Sequence, residues 1–257
     1  MVESQQLVNW AKCFLAVTLY AEGDGAKGVE LLEDLIDEYV ETVDEDKYHP
    51  FLESSYQQLG NMAFSLKNKD KAVEAYRALL KCRERIHPAD SKELIRPLMQ
   101  ILRLSAADED ITEATEVGLR VNQLLVQHVN EIDNNLVTNS GNLEGAEKQR
   151  LEAELSSFKQ FRLDTLFTLL NLYSGSADFE NAQYYAKEHT KVTEEVYKKE
   201  HKCYAYALFL EVGVMRYFPN LDHTETLHCI NEAIQISNRI GQNKKLDPFL
   251  ARLYEEK

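Results

Sequence analysis

The stretch from Tyr56 to Pro88 constrains the fold of this chain more than any other part of its sequence. Tyr56, Leu59 and Gly60 are followed by Ala72 and Tyr76. This spacing places a large residue, a Leu-Gly pair, a small residue and a second aromatic residue where two antiparallel helices of a repeated hairpin pack together. A single hairpin cannot bury its own apolar face, so the pattern predicts neighbouring hairpins.

The small residue of the second helix, Ala72, has four counterparts, each followed by apolar residues at helical spacing. They are Gly28, Ala114, Ala182 and Thr226, which give successive intervals of 44, 42, 68 and 44 residues. A polar turn precedes each of them, and its Asp or Asn is suited to cap the next helix. The sequence therefore predicts about five hairpins, over about 4–50, 51–90, 91–130, 149–202 and 203–241.

Two further segments complete the prediction. The long interval contains residues 131–148, which are rich in Asn, Asp, Ser and Gly and predict an exposed loop. The amphipathic residues 245–257 predict a cap over the last hairpin, because a terminal repeat must cover its open apolar face.

Composition excludes several classes of function. The net charge of −14 argues against nucleic acid, whose phosphates require clustered Lys and Arg. There is no apolar run of membrane-spanning length and no basic-then-apolar N-terminal signal, which predicts no membrane insertion. The cysteines are scattered without a paired motif, which predicts reduced thiols in a cytoplasmic protein: Cys13, Cys82, Cys203 and Cys229.

Enzymatic motifs are absent from the sequence. It contains no GxGxxG, GxxxxGK[ST] or GxSxG. His223 and His228 are five residues apart without a third ligand, and Cys203 beside His201 does not by itself make a nucleophile and base. We therefore predict no enzymatic activity, no cofactor and no metal.

Charge is distributed unevenly along the chain. Acids dominate between Glu22 and Glu53, and bases dominate between Lys67 and Arg103. One interpretation is that solvated helix faces balance each other. The other is that repeats two and three attract an acidic or phosphorylated partner, while the acidic first repeat meets a basic surface.

The long hairpins resemble the tetratricopeptide repeats of kinesin light chains. The resemblance is carried by Arg83-Glu84, by His87-Pro88 and by the matching His49-Pro50. It implies a single all-α, right-handed superhelical solenoid over residues 1–257 with a C-terminal capping helix. The heptad region that contacts the kinesin motor is missing from the sequence, so binding to a kinesin motor is not implied.

The same resemblance implies a concave groove lined by the first helix of each hairpin. The residue after the Leu-Gly position points into that groove, where Asn binds the backbone of an extended peptide through its donor and its acceptor. Asn61 and Asn171 occupy this position. Counting from them adds the other candidate peptide-binding residues: Gln57, Phe64, Arg103, Phe167 and Tyr217. The alternative is that the aromatic residues pack between repeats.

Three functions remain open. The first is a non-enzymatic adaptor that binds a peptide or a partner's helix in the groove. The second is a structural subunit of a larger cytoskeletal or transport complex, bound through the convex face and edges. The third is a repeat domain appended to a catalytic chain, as in SET–MYND methyltransferases, with its catalytic part outside these residues.

Overall fold

The computed structural model describes residues 2–44, 47–107, 110–139, 144–218 and 223–241. Within these ranges the regular elements are ten α-helices and one 3₁₀ turn, with no strand. The helices are α1 (Val2–Ala21), α2 (Gly25–Val40), α3 (Pro50–Ser65), α4 (Lys69–Glu84), α5 (Ile95–Ala107), α6 (Ile111–Thr138), α7 (Gly145–Gly175), α8 (Phe179–Tyr197), α9 (Lys202–Met215) and α10 (His223–Gly241). None of these helices is both long and apolar enough to cross a bilayer.

The chain forms two compact units, Met1–Val117 and Gly118–Lys257, with the boundary inside α6. In the first unit α1 packs on α2, α3 on α4, α2 on α3 and α4 on α5. In the second unit α7 packs on α8, α8 on α9 and α9 on α10. The consecutive helices named above thus pack as predicted, and the all-α class is confirmed. A single solenoid over 1–257 stays a prediction, and the predicted cap at 245–257 lies outside the described residues.

The turn between α3 and α4 is closed by backbone hydrogen bonds. The amide of Asn68 donates to the carbonyl of Ala63 at 2.9 Å, and the amide of Lys67 donates to that of Phe64 at 3.0 Å. Lys67 adopts a left-handed φ of 61°. This is the Schellman arrangement, which satisfies the last carbonyls of one helix while reversing the chain direction.

The same closure recurs in three other hairpins of the described chain. The equivalent long-range bonds run from Asp24 to Leu19, from Asp110 to Ser105 and from Asp178 to Tyr173. The donor residue then caps the following helix, since the Asn68, Asp110 and Asp178 side chains each accept a backbone N–H three residues later. Three of the predicted polar turns therefore cap the helix that follows them, whereas the Asp24 side chain makes no capping hydrogen bond.

The repeated small residue sits four positions after each cap, and its size sets how closely the two helices of a hairpin approach. Ala72, Ala114 and Ala182 are completely buried. At Gly28 a Cβ atom would lie 2.6 Å from the carbonyl oxygen of Ala16, so no larger residue fits. Gly60 plays the complementary part on α3, because its missing Cβ admits the ring of Tyr76.

The predicted loop over 131–148 is wrong at both ends. Helix α6 continues to Thr138 and α7 begins at Gly145, so these helices reach 28 and 31 residues. Apolar spacing explains why α6 continues into the predicted loop, because Val129 and Ile132 are both buried and extend the inner face of this helix. The inserted residues therefore lengthen two helices more than they build a loop.

The two His-Pro pairs have different positions. Pro50 is the first residue of α3 and His49 precedes it as the cap residue, as expected for Pro at a helix start. Pro88 does not start a helix, because a 3₁₀ turn at Lys92–Leu94 follows it and α5 begins only at Ile95. Both His-Pro pairs thus follow the end of a hairpin, but only the first pair also begins the next helix.

Replacing Gly60 by Ala tests the close approach in the second hairpin. The new Cβ would lie 2.8 Å from Cε1 of Tyr76, whose side chain is only 1% exposed. We expect Gly60→Ala to lower the free energy of unfolding by about 1–3 kcal/mol, the usual cost of overpacking, although Ala favours helix. Urea unfolding curves, monitored by circular dichroism, measure this free energy.

Gly213→Ala is the matched control, because Gly213 lies in the last turn of α9 and a Cβ there meets nothing within 4 Å. It should leave the protein as stable as before or stabilise it by up to about 1 kcal/mol. Equal stability of Gly60→Ala and the unsubstituted protein would contradict the packing argument.

Candidate functional site

Asn61 lies on α3 in the first unit and is held by two side chains. Its Oδ1 accepts a hydrogen bond from the hydroxyl of Tyr76 at 2.9 Å and one from Nε2 of Gln57 at 3.3 Å. Among the described residues nothing accepts a hydrogen bond from its Nδ2. Asn61 therefore presents a fixed donor at the surface, while its acceptor is engaged inside the protein.

Phe64 and Arg103 lie beside this amide. The guanidinium carbon of Arg103, on α5, is 5.2 Å from the centre of the Phe64 ring, which is within cation–π range. Burial raises the pKa of Tyr76, and the charge of Arg103 offsets part of that rise. The structure thus gathers Gln57, Asn61, Phe64 and Arg103 into one surface, which we call the α3–α5 surface.

Three of the neighbouring bases form ion pairs with acids of other helices. Lys71 contacts Glu33 at 2.6 Å, Arg77 contacts Glu113 at 2.6 Å and Arg83 contacts Glu53 at 2.9 Å. These contacts favour the interpretation in which the acidic and basic stretches balance each other. Arg103 has no such acidic partner in the described part of the chain.

The Arg83–Glu53 pair has a structural role. Tyr48 also donates to Glu53, at 2.6 Å. Burial alone would raise the pKa of Glu53, but the hydrogen bonds from Tyr48 and Arg83 outweigh burial and hold it below its usual value. The bond to Glu53 raises the pKa of Tyr48 to about 12. Arg83, which carries part of the resemblance described above, therefore links α4 to the start of α3.

The other three predicted residues lie in the second unit. Asn171 and Phe167 are exposed on α7, and the Phe167 ring centre is 6.2 Å from that of His189. Tyr217 follows α9 and stacks on Phe179 with ring centres 4.3 Å apart, and the guanidinium carbon of Arg216 lies 5.1 Å from the centre of the Tyr217 ring. Tyr217 thus belongs to a separate aromatic pair. Use of these residues in binding stays a prediction.

A cavity of about 480 Å³ adjoins Phe167 and was not foreseen from the sequence. Side chains of three helices line it, among them His189 and Tyr197 of α8 and Cys203 and Tyr206 of α9. Counting along α7 identified Phe167, and the same register applied one turn earlier would have identified Asp164. The lining residues of α8 and α9 reach the cavity through helix packing, and no comparable sequence pattern predicts them.

His189 is the most strongly perturbed side chain of this cavity. It is 9% exposed, and its Nδ1 is sealed from solvent without a hydrogen-bond partner. Burial lowers the pKa of His189 to about 4, so the ring is neutral near pH 7. His201, by contrast, accepts the backbone N–H of Cys203 through Nδ1 and caps α9. No group of three His, Cys, Asp or Glu side chains suited to a metal occurs in the described ranges.

No known family profile and no curated protein matches this sequence. Solved structures do. A protein of Podosopora anserina assigned as a kinesin light chain, with nearly identical TPR-like repeats, is 14% identical over 91% of this chain and 96% of its own, with a TM-score of 0.56. The assembly chaperone of RpL4, Acl4, is 16% identical over 96% and 84%, with a TM-score of 0.62. BtubC (BKLC) of P. vanneervenii is 16% identical over 91% and 81%, with a TM-score of 0.56.

These likenesses concern the fold. All three proteins share it at identities of 14–16%, and each match covers at least nine tenths of the chain. The chain therefore has a tetratricopeptide-like repeat fold, and the predicted similarity to the repeats of kinesin light chains is confirmed at the level of fold.

The buried ring of His189 makes a pH-dependence predictable. Because its pKa is about 4 in the folded protein and near 6.5 when unfolded, the unfolded state binds the proton first as the pH falls. The contribution of His189 to the free energy of unfolding is therefore fully present above about pH 6.5. It is lost progressively toward pH 4, by up to about 3 kcal/mol. Between pH 7.5 and 4.5 the free energy of unfolding should therefore change less in His189→Phe than in the unsubstituted protein. Urea titrations at the two pH values measure this difference.

His228→Phe provides the comparison, since the side chain of His228 is 78% exposed. Its stability should follow that of the unsubstituted protein across the same pH range. A pH-dependence left unchanged by His189→Phe would show that His189 does not titrate in this way.

Proposed function

We propose that this chain is a non-enzymatic protein-interaction adaptor that binds a peptide or a partner's helix in a concave groove, with the α3–α5 surface as the contact of its first unit. The observation that carries the proposal is the fixation of Asn61 by Tyr76 and Gln57. A preorganised amide donor loses little conformational freedom when it meets a ligand carbonyl.

The chemistry of the α3–α5 surface indicates the kind of partner. Nδ2 of Asn61 and the guanidinium of Arg103 are donors, so together they suit a carbonyl followed by a carboxylate or phosphate. Phe64 is 38% exposed and adds an apolar contact. We therefore propose an acidic or phosphorylated segment as the ligand of repeats two and three. Asn171, Phe167 and Tyr217 are the corresponding candidates in the second unit.

The proposed location is the cytoplasm. All four cysteines are free in the structure, and three of them are buried. Reduced, buried thiols are typical of proteins kept in a reducing compartment.

Two single substitutions test the α3–α5 surface. Asn61→Asp keeps the size and the acceptor but removes the donor, and Arg103→Gln removes the charge. Each should weaken binding of a partner recovered by affinity capture at least tenfold, which corresponds to about 1.4 kcal/mol. Arg103→Gln should also reduce the dependence of affinity on salt, because screened charge then contributes less. Calorimetry at two salt concentrations measures both effects.

Arg96→Gln is the control, since Arg96 is exposed on the same helix but outside the surface. It should bind as the unsubstituted protein does. Partners retained equally by all these variants do not use the α3–α5 surface, and retention of every partner would refute the proposal.

The second candidate function, a structural subunit bound through its edges, is favoured by a different surface. Helix α1 exposes Leu7 (71%) and Phe14 (67%), with Val8 and Leu15 beside them. Spacings of seven residues align these side chains on one helix face, opposite the buried Cys13 and Ala16. Contiguous apolar side chains of this kind are typical of a contact surface for another helix.

Substitution of this α1 face separates the two functions. Leu7→Glu/Phe14→Glu should remove partners that bind the edge, while Asn61→Asp leaves them bound. Stability should change by less than about 0.5 kcal/mol, because both side chains are exposed. Co-purification and light scattering of the complexes measure this. Tyr184→Glu, at an exposed position of α8, is the control, and complexes unaffected by the double substitution would exclude the α1 face.

A further inference from the structure

The cavity among α7, α8 and α9 has the size and lining of a ligand site. Its volume of about 480 Å³ lies within the range that small ligands occupy. Phe167, Tyr197 and Tyr206 approach it from three different helices, and Leu163 adds an aliphatic side chain. Aromatic walls on several sides favour a flat, apolar ring, since stacked and edge-on contacts between rings are favourable.

Most polar side chains of the lining already have partners within the protein. The hydroxyl of Tyr197 donates to Oε1 of Gln160 at 2.8 Å. The hydroxyl of Thr193 donates to the backbone carbonyl of His189 at 2.7 Å. These bonds hold the walls in place and leave the imidazole of His189 as the inner polar group without a hydrogen bond.

The state of His189 determines which ligand group suits it. The ring is neutral, so one nitrogen is a donor and the other an acceptor. Its Nδ1 is sealed, so a ligand can reach the ring only at the edge that carries Nε2. A hydroxyl fits that nitrogen in either tautomer, because it both donates and accepts.

We propose that this cavity binds an aromatic ring bearing a hydroxyl group, with the hydroxyl hydrogen-bonded to His189 and the ring packed against Phe167 and Tyr206. The ligand is then either the tyrosine side chain of a peptide or a free phenolic compound. The α3–α5 surface lies in the other unit, so this proposal stands or fails independently of the function proposed for that surface.

Cys203 supplies a direct readout of occupancy. It lines the cavity and is partly exposed, whereas Cys13, Cys82 and Cys229 are buried. Burial also raises the pKa of those three thiols, which lowers their reactivity. Alkylation by iodoacetamide, followed by mass spectrometry of the intact chain, should therefore report Cys203 first. Cys203→Ser should abolish this fast labelling.

Two matched pairs of probes test the proposal. 4-Ethylphenol is compared with ethylbenzene, and N-acetyltyrosinamide with N-acetylphenylalaninamide. We expect at least one hydroxylated probe to slow alkylation of Cys203 about tenfold at saturation. Its half-saturating concentration should be at least tenfold lower than that of its partner without the hydroxyl. Protection by 4-ethylphenol alone identifies a free phenol as the ligand, and protection by the tyrosine amide identifies a side chain.

His189→Phe keeps an aromatic ring but removes both nitrogens. In this variant the two members of each pair should half-saturate at the same concentration, while Cys203 remains protected by both. Equal potency of the paired probes on the unsubstituted protein would overturn the proposal, and so would failure of both hydroxylated probes to protect Cys203. Those two results do not depend on whether the variant folds.

Discussion

The close approach of two helices at one small residue per hairpin is the constraint on which the rest of the structure depends. At Gly28 the carbonyl of Ala16 leaves no room for a Cβ, and at Gly60 the ring of Tyr76 occupies the space that a Cβ would need. That ring brings its hydroxyl to Oδ1 of Asn61 at 2.9 Å. The orientation of the candidate binding amide is therefore a consequence of helix packing inside the hairpin.

Features that depend on local chemistry could be predicted from the sequence. A capping Asp or Asn followed four residues later by a small residue is a pattern contained in a few consecutive positions. The caps at Asn68 and Asp178 agree with it. The prediction failed where composition and periodicity disagreed. Residues 131–138 are rich in Asn, a poor helix former, yet the buried Ile132 continues the apolar face of α6. Tertiary packing outweighs a weak intrinsic preference of this kind.

The candidate sites divide in the same way. Counting along two helices predicts Gln57, Asn61, Phe64 and Arg103. The structure brings these side chains together because both helices contribute one face to the same side. His189 could not be chosen in this way. The neutral state of His189 follows from its burial. The cavity beside it is lined in part by Cys203 and Tyr206, which are far from Phe167 in sequence. The residue spacing within one helix does not predict how other helices pack against it.

The hydrogen bonding of Asn61 also changes what the groove hypothesis requires of a ligand. A free amide would pair with both the N–H and the C=O of a peptide unit, which makes recognition independent of sequence. Here Tyr76 and Gln57 use the acceptor, so the amide and Arg103 offer donors alone. Asn171 is exposed without such partners in the described part of the chain, so its donor and acceptor are both available. On the proposed function, the first unit selects electron-rich groups, whereas the second binds the backbone of any extended segment and takes its specificity from the neighbouring cavity.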